Sequence, residues 1–329
     1  MKYGRQRRFA LFAPCSVAVG LALVGALACH QEVSEPKPTG SVQPVANMPR
    51  KPSAGGGLAP TSESQAPTLA SSAPRPDEVI HRAAPAGTEK QAFILWLHGL
   101  GASGSLLQTV LQVDKLAERY HFAYAAPDGA VDSKQRKFWN ASEACCDFDH
   151  QGVDHVTRLT AILNNAKAQP DIDPHRLYVI GFSNGGFMAH RLACSGGDLA
   201  GIASMAGLGP GPTDACTPAH PLRILEVHGA ADVVVRPEGG RLFDDPKNAV
   251  HSALRITVDA WAKRNHCAAS APASKTVDLV PNLPGAETTE LAYSRCTASV
   301  DLWMIAGGGH MSVNAPGVVE SAVQRLLSP

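Results

Sequence analysis

The chain has 329 residues, 44% of them hydrophobic and 18% charged, with 29 basic side chains against 29 acidic ones. That share of apolar residues is enough for an ordinary buried core, and the length allows one large domain or two small ones. With a formal net charge of zero and no basic run beyond the extreme N-terminus, nucleic acid is not an expected partner. An aromatic content of 5% argues against an added carbohydrate-binding module.

The first segment reads as an export signal. Lys2, Arg5, Arg7 and Arg8 precede an uncharged stretch from Phe9 to Cys29, and Ala26-Leu27-Ala28 puts small residues where a signal peptidase reads. An uncleaved membrane anchor is the alternative, because the apolar run is about long enough to span a bilayer. Both readings place the remainder outside the cytoplasm. Leu23 to Cys29 resembles a bacterial lipoprotein signal, which makes residues 1–28 a signal peptide and Cys29 the lipidated N-terminus. Plain cleavage after Ala28, giving a secreted protein, is the other outcome. The 46 residues from Gln31 to Pro76 hold nine Pro, seven Ser and four Gly, and no Phe, Trp, Tyr or Ile. Such a stretch cannot bury enough apolar surface to offset its ordering entropy, so residues 29–79 are expected to form a disordered tether.

From residue 80 to the end, strands and helices alternate. Ala92 to Leu97 is an apolar run ending in His98-Gly99, and Ser105 to Tyr120 carries Leu107, Val110, Leu111 and Leu116 at helical spacing. His121 to Ala126 reads as a strand closed by Pro127-Asp128-Gly129, and Gly152 to Ala168 as a helix. Leu177 to Ile180 is a strand running into Gly181, followed by a helix over Asn184 to Ala193. Ile224 to Val227 is a strand, Ala249 to Arg264 a helix, Val300 to Ile305 a last strand and Val318 to Leu327 a last helix. Apolar strands alternating with helices predict an α/β domain over 80–329, a mostly parallel sheet with helices on both faces.

Gly181-Phe182-Ser183-Asn184-Gly185 fits G-x-S-x-G between a strand and a helix, the context in which a sharp turn presents the serine hydroxyl. A serine hydroxyl needs a base. Of 13 histidines, His310 stands out because it follows Gly307-Gly308-Gly309 at the end of the last strand. Asp232, in the loop after the strand ending Val227-His228-Gly229, completes the order Ser, Asp, His. Asp214, in a loop, and Asp259, inside a helix, are weaker rivals, and His228 reads as a packing residue. The oxyanion hole is expected to use the N–H of Asn184 and, from the loop after the first long strand, that of Leu100.

These stretches resemble the polyhydroxybutyrate depolymerase-like and feruloyl esterase family of secreted enzymes. The similarity is carried by Leu97-His98-Gly99, Trp139-Asn140, Ala144-Cys145-Cys146 and Gly152-Val153-Asp154, then by Gly181 to Gly186, Arg191 to Cys194, His228 to Asp232 and Gly307 to His310. The resemblance implies an α/β-hydrolase fold and hydrolysis of esters through an acyl-enzyme. It implies catalysis by Ser183, Asp232 and His310, with no metal and no cofactor. Family members commonly place a Trp-Pro pair after the histidine, whereas Met311-Ser312-Val313-Asn314 stands here. The expected substrate is a small ester, a polyester or an esterified polysaccharide. The expected state is a monomer that meets a membrane only through its lipid anchor, at the cell surface or outer membrane, or else is secreted. A peptidase of the same fold and a non-catalytic surface-binding lipoprotein are the competing readings. Six cysteines follow the signal region, and export permits disulfides. Cys267–Cys296 is the expected bridge, in line with the resemblance, and Cys194–Cys216 the next; Cys145 and Cys146 are either joined to each other or free.

Overall fold

The computed structural model describes residues 78–82, 89–209, 215–270 and 272–328. The export segment, Cys29 and nearly all of the 29–79 tether lie outside the described residues. In chain order the elements are β1 (His81–Arg82), β2 (Gln91–Leu97), α1 (Gly104–Leu111), α2 (Val113–Tyr120), β3 (Phe122–Ala125), β4 (Ala130–Val131), β5 (Lys137–Phe138) and α3 (His155–Lys167). They continue with β6 (Ile172–Phe182), α4 (Asn184–Cys194), β7 (Gly201–Met205), β8 (Arg223–Gly229), β9 (Gly240–Arg241) and β10 (Val250–His251). The last are α5 (Leu254–Arg264), β11 (Ala273–Val277), β12 (Thr288–Ala292), β13 (Val300–Ile305) and α6 (Pro316–Leu327).

Nine strands form one sheet in the order β1-β3-β2-β6-β7-β8-β13-β12-β11. The central run from β3 to β13 is parallel, and β1, β12 and β11 add antiparallel edges. The period of two along β2 divides its side chains between two cores. Phe93, Leu95 and Leu97 pack with Val179, Leu192 and Trp261, under α3, α4 and α5. Ile94 and Trp96 pack with Ile180, Leu116 and Val319, under α2 and α6. All five of these β2 side chains are fully buried, and burial of each such side chain is worth roughly 1.5–3 kcal/mol. Among the described residues no helix is long and apolar enough to cross a membrane.

Several elements differ from the sequence expectation. The helix read over Ser105 to Tyr120 is two helices, because Gln112 takes a left-handed conformation (φ 50°) between them. The helix read from Ala249 begins at Leu254, since Val250 and His251 pair with Arg241 and Gly240 instead. Strands β7, β11 and β12 were not expected.

Register places the loops. Leu97 on β2 pairs with Gly181 on β6, so the loop after β2 starts level with the turn that carries Ser183. Ile305 on β13 pairs with Gly229 on β8, so the segments leading to His310 and Asp232 leave the same edge side by side. Chain order reverses between β2, whose sequence neighbour β3 lies on one side, and β6 on the other. Ligands of open α/β sheets bind at the carboxyl edge beside such a reversal.

Candidate active site

Ser183 sits between β6 and α4 with φ 53° and ψ −117°, a strained conformation for a residue with a side chain. The turn tolerates nothing bulky beside it. A Cβ on Gly181 would come within 2.0 Å of the Gly185 carbonyl oxygen, and one on Gly185 within 2.1 Å of the Leu97 oxygen. The Ser183 N–H donates to the Met205 carbonyl of β7 (2.7 Å), which fixes the strained peptide from outside the turn.

The structure brings Ser183, Asp232 and His310 into one chain of contacts. Ser183 Oγ lies 2.9 Å from His310 Nε2, and His310 Nδ1 lies 2.7 Å from Asp232 Oδ2. With Nδ1–H donating to the carboxylate, Nε2 is left to accept from the hydroxyl. Asp232 Oδ1 accepts the N–H groups of Val234 (2.8 Å) and Val235 (2.9 Å). Burial alone would raise the Asp232 carboxyl, but hydrogen bonds from His228, His310 and the Val235 N–H hold it well below the usual carboxylate range. The loops of β8 and β13 also bond to each other, through the Ala231 N–H and the Gly308 carbonyl (2.8 Å).

His228 does pack, as the sequence suggests, but it also touches the acid. Its Nε2 donates to the Val235 carbonyl (2.8 Å) and lies 3.3 Å from Asp232 Oδ2. Asp259 is on the exposed side of α5, where it accepts from Tyr293 Oη and pairs with Arg255. It is not part of this group, and Asp214 lies outside the described residues.

Of the two expected oxyanion donors, Asn184 follows the serine directly and Leu100 belongs to the loop that begins against it. Gly99 lies against the turn, so that a Cβ on it would be 3.4 Å from Ser183 Cβ. Neither the Leu100 N–H nor the Asn184 N–H finds an acceptor among the described residues. Around them lies a network that sequence reasoning missed. The Asn184 side chain grips the Trp139 backbone on both sides, accepting its N–H (2.7 Å) and donating to its carbonyl (2.9 Å). The Trp139 indole N–H donates to the His98 carbonyl (2.9 Å). Trp139-Asn140 in the family-like stretches was the one available signal.

The six cysteines form three bridges: Cys145–Cys146, Cys194–Cys216 and Cys267–Cys296. The first, left open by the sequence, packs its Cys145 sulfur 3.4 Å from Asn184 Nδ2. Two hollows of about 550 and 780 Å³ flank α4, lined among others by Phe187, Arg191 and His251 and by Asn140, Phe148 and Phe243. Neither is lined by Ser183, Asp232 or His310. Among the described residues, no group of three or more His, Cys, Asp or Glu is placed to hold a metal ion.

Comparison with known proteins gives these contacts a context. A family model described as phospholipase/carboxylesterase matches residues 79–250, just over half of the chain. Feruloyl esterase B of Piromyces equi is 27% identical over 229 residues, 68% of this chain and 40% of that protein. The poly(3-hydroxybutyrate) depolymerase of Ralstonia pickettii is 31% identical over 135 residues, 38% of this chain and 27% of that protein. The chain thus spans less than half the length of these curated relatives. An acetyl xylan esterase from Aspergillus awamori superposes with a TM-score of 0.53 at 15% identity, over 75% of this chain and 92% of that one, a likeness of fold.

Proposed function

The chain belongs to the phospholipase/carboxylesterase family, with an α/β-hydrolase fold, and on that premise we propose that it is a serine esterase cleaving carboxylic esters through an acyl-enzyme. The observation that carries this reading is the pair of contacts from Ser183 Oγ to His310 Nε2 and from His310 Nδ1 to Asp232 Oδ2, at 2.9 and 2.7 Å. His310 takes the Ser183 proton as the oxygen attacks the ester carbonyl. Asp232 holds the imidazole in the required tautomer and stabilises the imidazolium. The N–H groups of Leu100 and Asn184 receive the negative charge that develops on the carbonyl oxygen. His310 then protonates the departing alcohol, and water repeats the sequence to free the acid.

The relatives are named for a feruloyl ester, a polyester and acetyl xylan. The reading therefore extends to small esters, polyesters and esterified polysaccharides, with no cofactor. Export completes the proposal: residues 1–28 as a lipoprotein-type signal, Cys29 as the acylated residue, and residues 29–79 as a tether for the domain over 80–329. Detergent partitioning of the exported protein, lost on Cys29→Ser, tests the anchor; an unmodified Cys29 at the mature N-terminus would remove it and leave secretion intact.

The decisive experiment is Ser183→Ala with p-nitrophenyl acetate. Turnover is expected to fall ~10⁴-fold or more, because the three residues act as a unit, and labelling by a fluorophosphonate probe to disappear. Near-normal turnover by a folded variant would end the serine mechanism.

A further inference from the structure

We propose that His98 is a positioning residue of the oxyanion hole, its imidazole holding the Gly99–Leu100 peptide so that the Leu100 N–H is presented to the substrate carbonyl. The inference rests on the esterase reading above and assigns a role to a side chain that touches no substrate.

His98 is fully buried, so each of its polar atoms must be accounted for. The Gly129 N–H points at Nε2 from 2.9 Å, which makes Nε2 an acceptor. A neutral imidazole then carries its proton on Nδ1, and Nδ1 lies 2.8 Å from the carbonyl oxygen of Gly99. The ring is therefore a rigid spacer. One nitrogen is anchored on a separate segment, and the other holds the carbonyl of the residue that follows His98.

That carbonyl decides where the next N–H goes. The Gly99–Leu100 peptide is trans, as Cys145–Cys146 is the one cis bond among the described residues. In a trans peptide C=O and N–H point in opposite directions. With the Gly99 oxygen held by His98 Nδ1 and by the Ala102 N–H (3.1 Å), the Leu100 N–H is turned to the other side, and it has no acceptor among the described residues.

The anchor itself is firm. A Cβ on Gly129 would approach the Phe138 carbonyl oxygen to 2.2 Å, so this turn is packed directly on β5. The main chain of His98 is held independently, since its own carbonyl accepts the Trp139 indole N–H. Burial keeps the imidazole below its ordinary pKa, a tendency opposed by its bond to Gly99 and by Asp128 and reinforced by Lys137 and Arg158. A second ring proton would also face the Gly129 N–H. Preorganised donors of this kind cost nothing to align at the moment of reaction.

The test separates the two nitrogens. His98→Asn keeps a donor at the Nδ1 position and loses the acceptor; His98→Gln keeps an acceptor near Nε2 and loses the donor to Gly99. With p-nitrophenyl acetate and thermal melts to confirm folding, His98→Asn is expected within ~10-fold of wild-type kcat. His98→Gln should lose roughly 10²–10³-fold, the usual effect of one oxyanion donor, with KM within about threefold. Affinity for an alkylboronic acid, which forms a tetrahedral adduct on the serine, should fall in step with kcat/KM. Equal losses in both variants, or a change in KM alone, would overturn the proposal and leave His98 a packing residue. If Ser183→Ala stays active, the esterase reading fails and this inference with it. If Ser183→Ala is inactive while His98→Gln turns over normally, this inference alone fails.

Discussion

Asp232→Asn replaces one oxygen by an NH₂ group at nearly constant shape, and the geometry around the carboxylate dictates the result. Oδ1 faces two backbone donors, Val234 and Val235, at 2.8 and 2.9 Å, and Oδ2 faces His310 Nδ1 at 2.7 Å. A carboxamide cannot accept on both sides. With its oxygen toward the backbone, its NH₂ donates to His310 Nδ1, the imidazole proton moves to Nε2, and His310 can no longer take the proton of Ser183. The His228 N–H, 3.3 Å from Oδ2, opposes this arrangement only weakly because the Val235 carbonyl is nearer. With the amide reversed, the tautomer is right, but two N–H groups lose their acceptor at roughly 1–3 kcal/mol each. The competent arrangement is thus disfavoured by roughly 2–6 kcal/mol, which at about 1.4 kcal/mol per decade predicts a loss of roughly 30-fold to 2 × 10⁴-fold in kcat. Initial rates with p-nitrophenyl acetate, alongside thermal melts, measure it. A folded Asp232→Asn enzyme within fivefold of wild type would refute the reasoning and move the acid to another residue.

The remaining predictions concern stability. Cys267 and Cys296 are 29 residues apart, and loop entropy predicts that the double change to Ser lowers unfolding free energy by about 3–4 kcal/mol; urea titration under non-reducing conditions measures it, and an unchanged midpoint would contradict the chain-entropy account. Burial, aided by Arg158, pushes the pKa of His155 down to about 4, and its ring nitrogens face the N–H groups of Ala130 and Asn140. The unfolded chain takes up this proton first, near pH 6.5. The associated stability is therefore complete above about 6.5 and lost as the pH falls toward 4, by about 2–3 kcal/mol between pH 7 and 4.5. Unfolding free energies from urea titration at the two pH values should differ by that much less in His155→Gln; an equal difference in both proteins would show that His155 binds its proton equally in the folded and unfolded states.

What could be read in advance follows the range of the forces involved. The turn at Ser183 was legible because its demands are local: glycines within two residues, a strand before it and a helix after it. The positions of Asp232 and His310 were legible because chain order and strand ends suffice to bring them to one edge. Strand β7 was not, since Gly201-Ile202-Ala203-Ser204-Met205 lacks the bulky β-branched run of its neighbours. It lies between two parallel strands with both faces covered, where small side chains leave room for α4. Strands β11 and β12 were hidden for the opposite reason: β11 is largely exposed at the sheet edge, and its polar sequence reads as a loop. The break between α1 and α2 had no glycine to announce it, because Gln112 adopts the left-handed turn itself.

The role of Asn184 lay outside any local reading. In the pattern G-x-S-x-G the residue after serine is free, yet here its amide reaches a backbone 45 residues away. Its two bonds to Trp139 need one acceptor and one donor on the same planar group. An aspartate would set a negative oxygen against the Trp139 carbonyl, a leucine would leave the buried Trp139 N–H unpaired and its carbonyl with only the longer bond from the Cys146 N–H (3.3 Å), and glutamine would overreach by one methylene. The same residue carries the N–H proposed as an oxyanion donor beside Ser183, while its side chain fixes Trp139, whose indole in turn holds the His98 carbonyl. The two proposed oxyanion donors, on different loops of different strands, are thereby tied through a single tryptophan. Their separation is set by buried hydrogen bonds rather than by the flexibility of either loop.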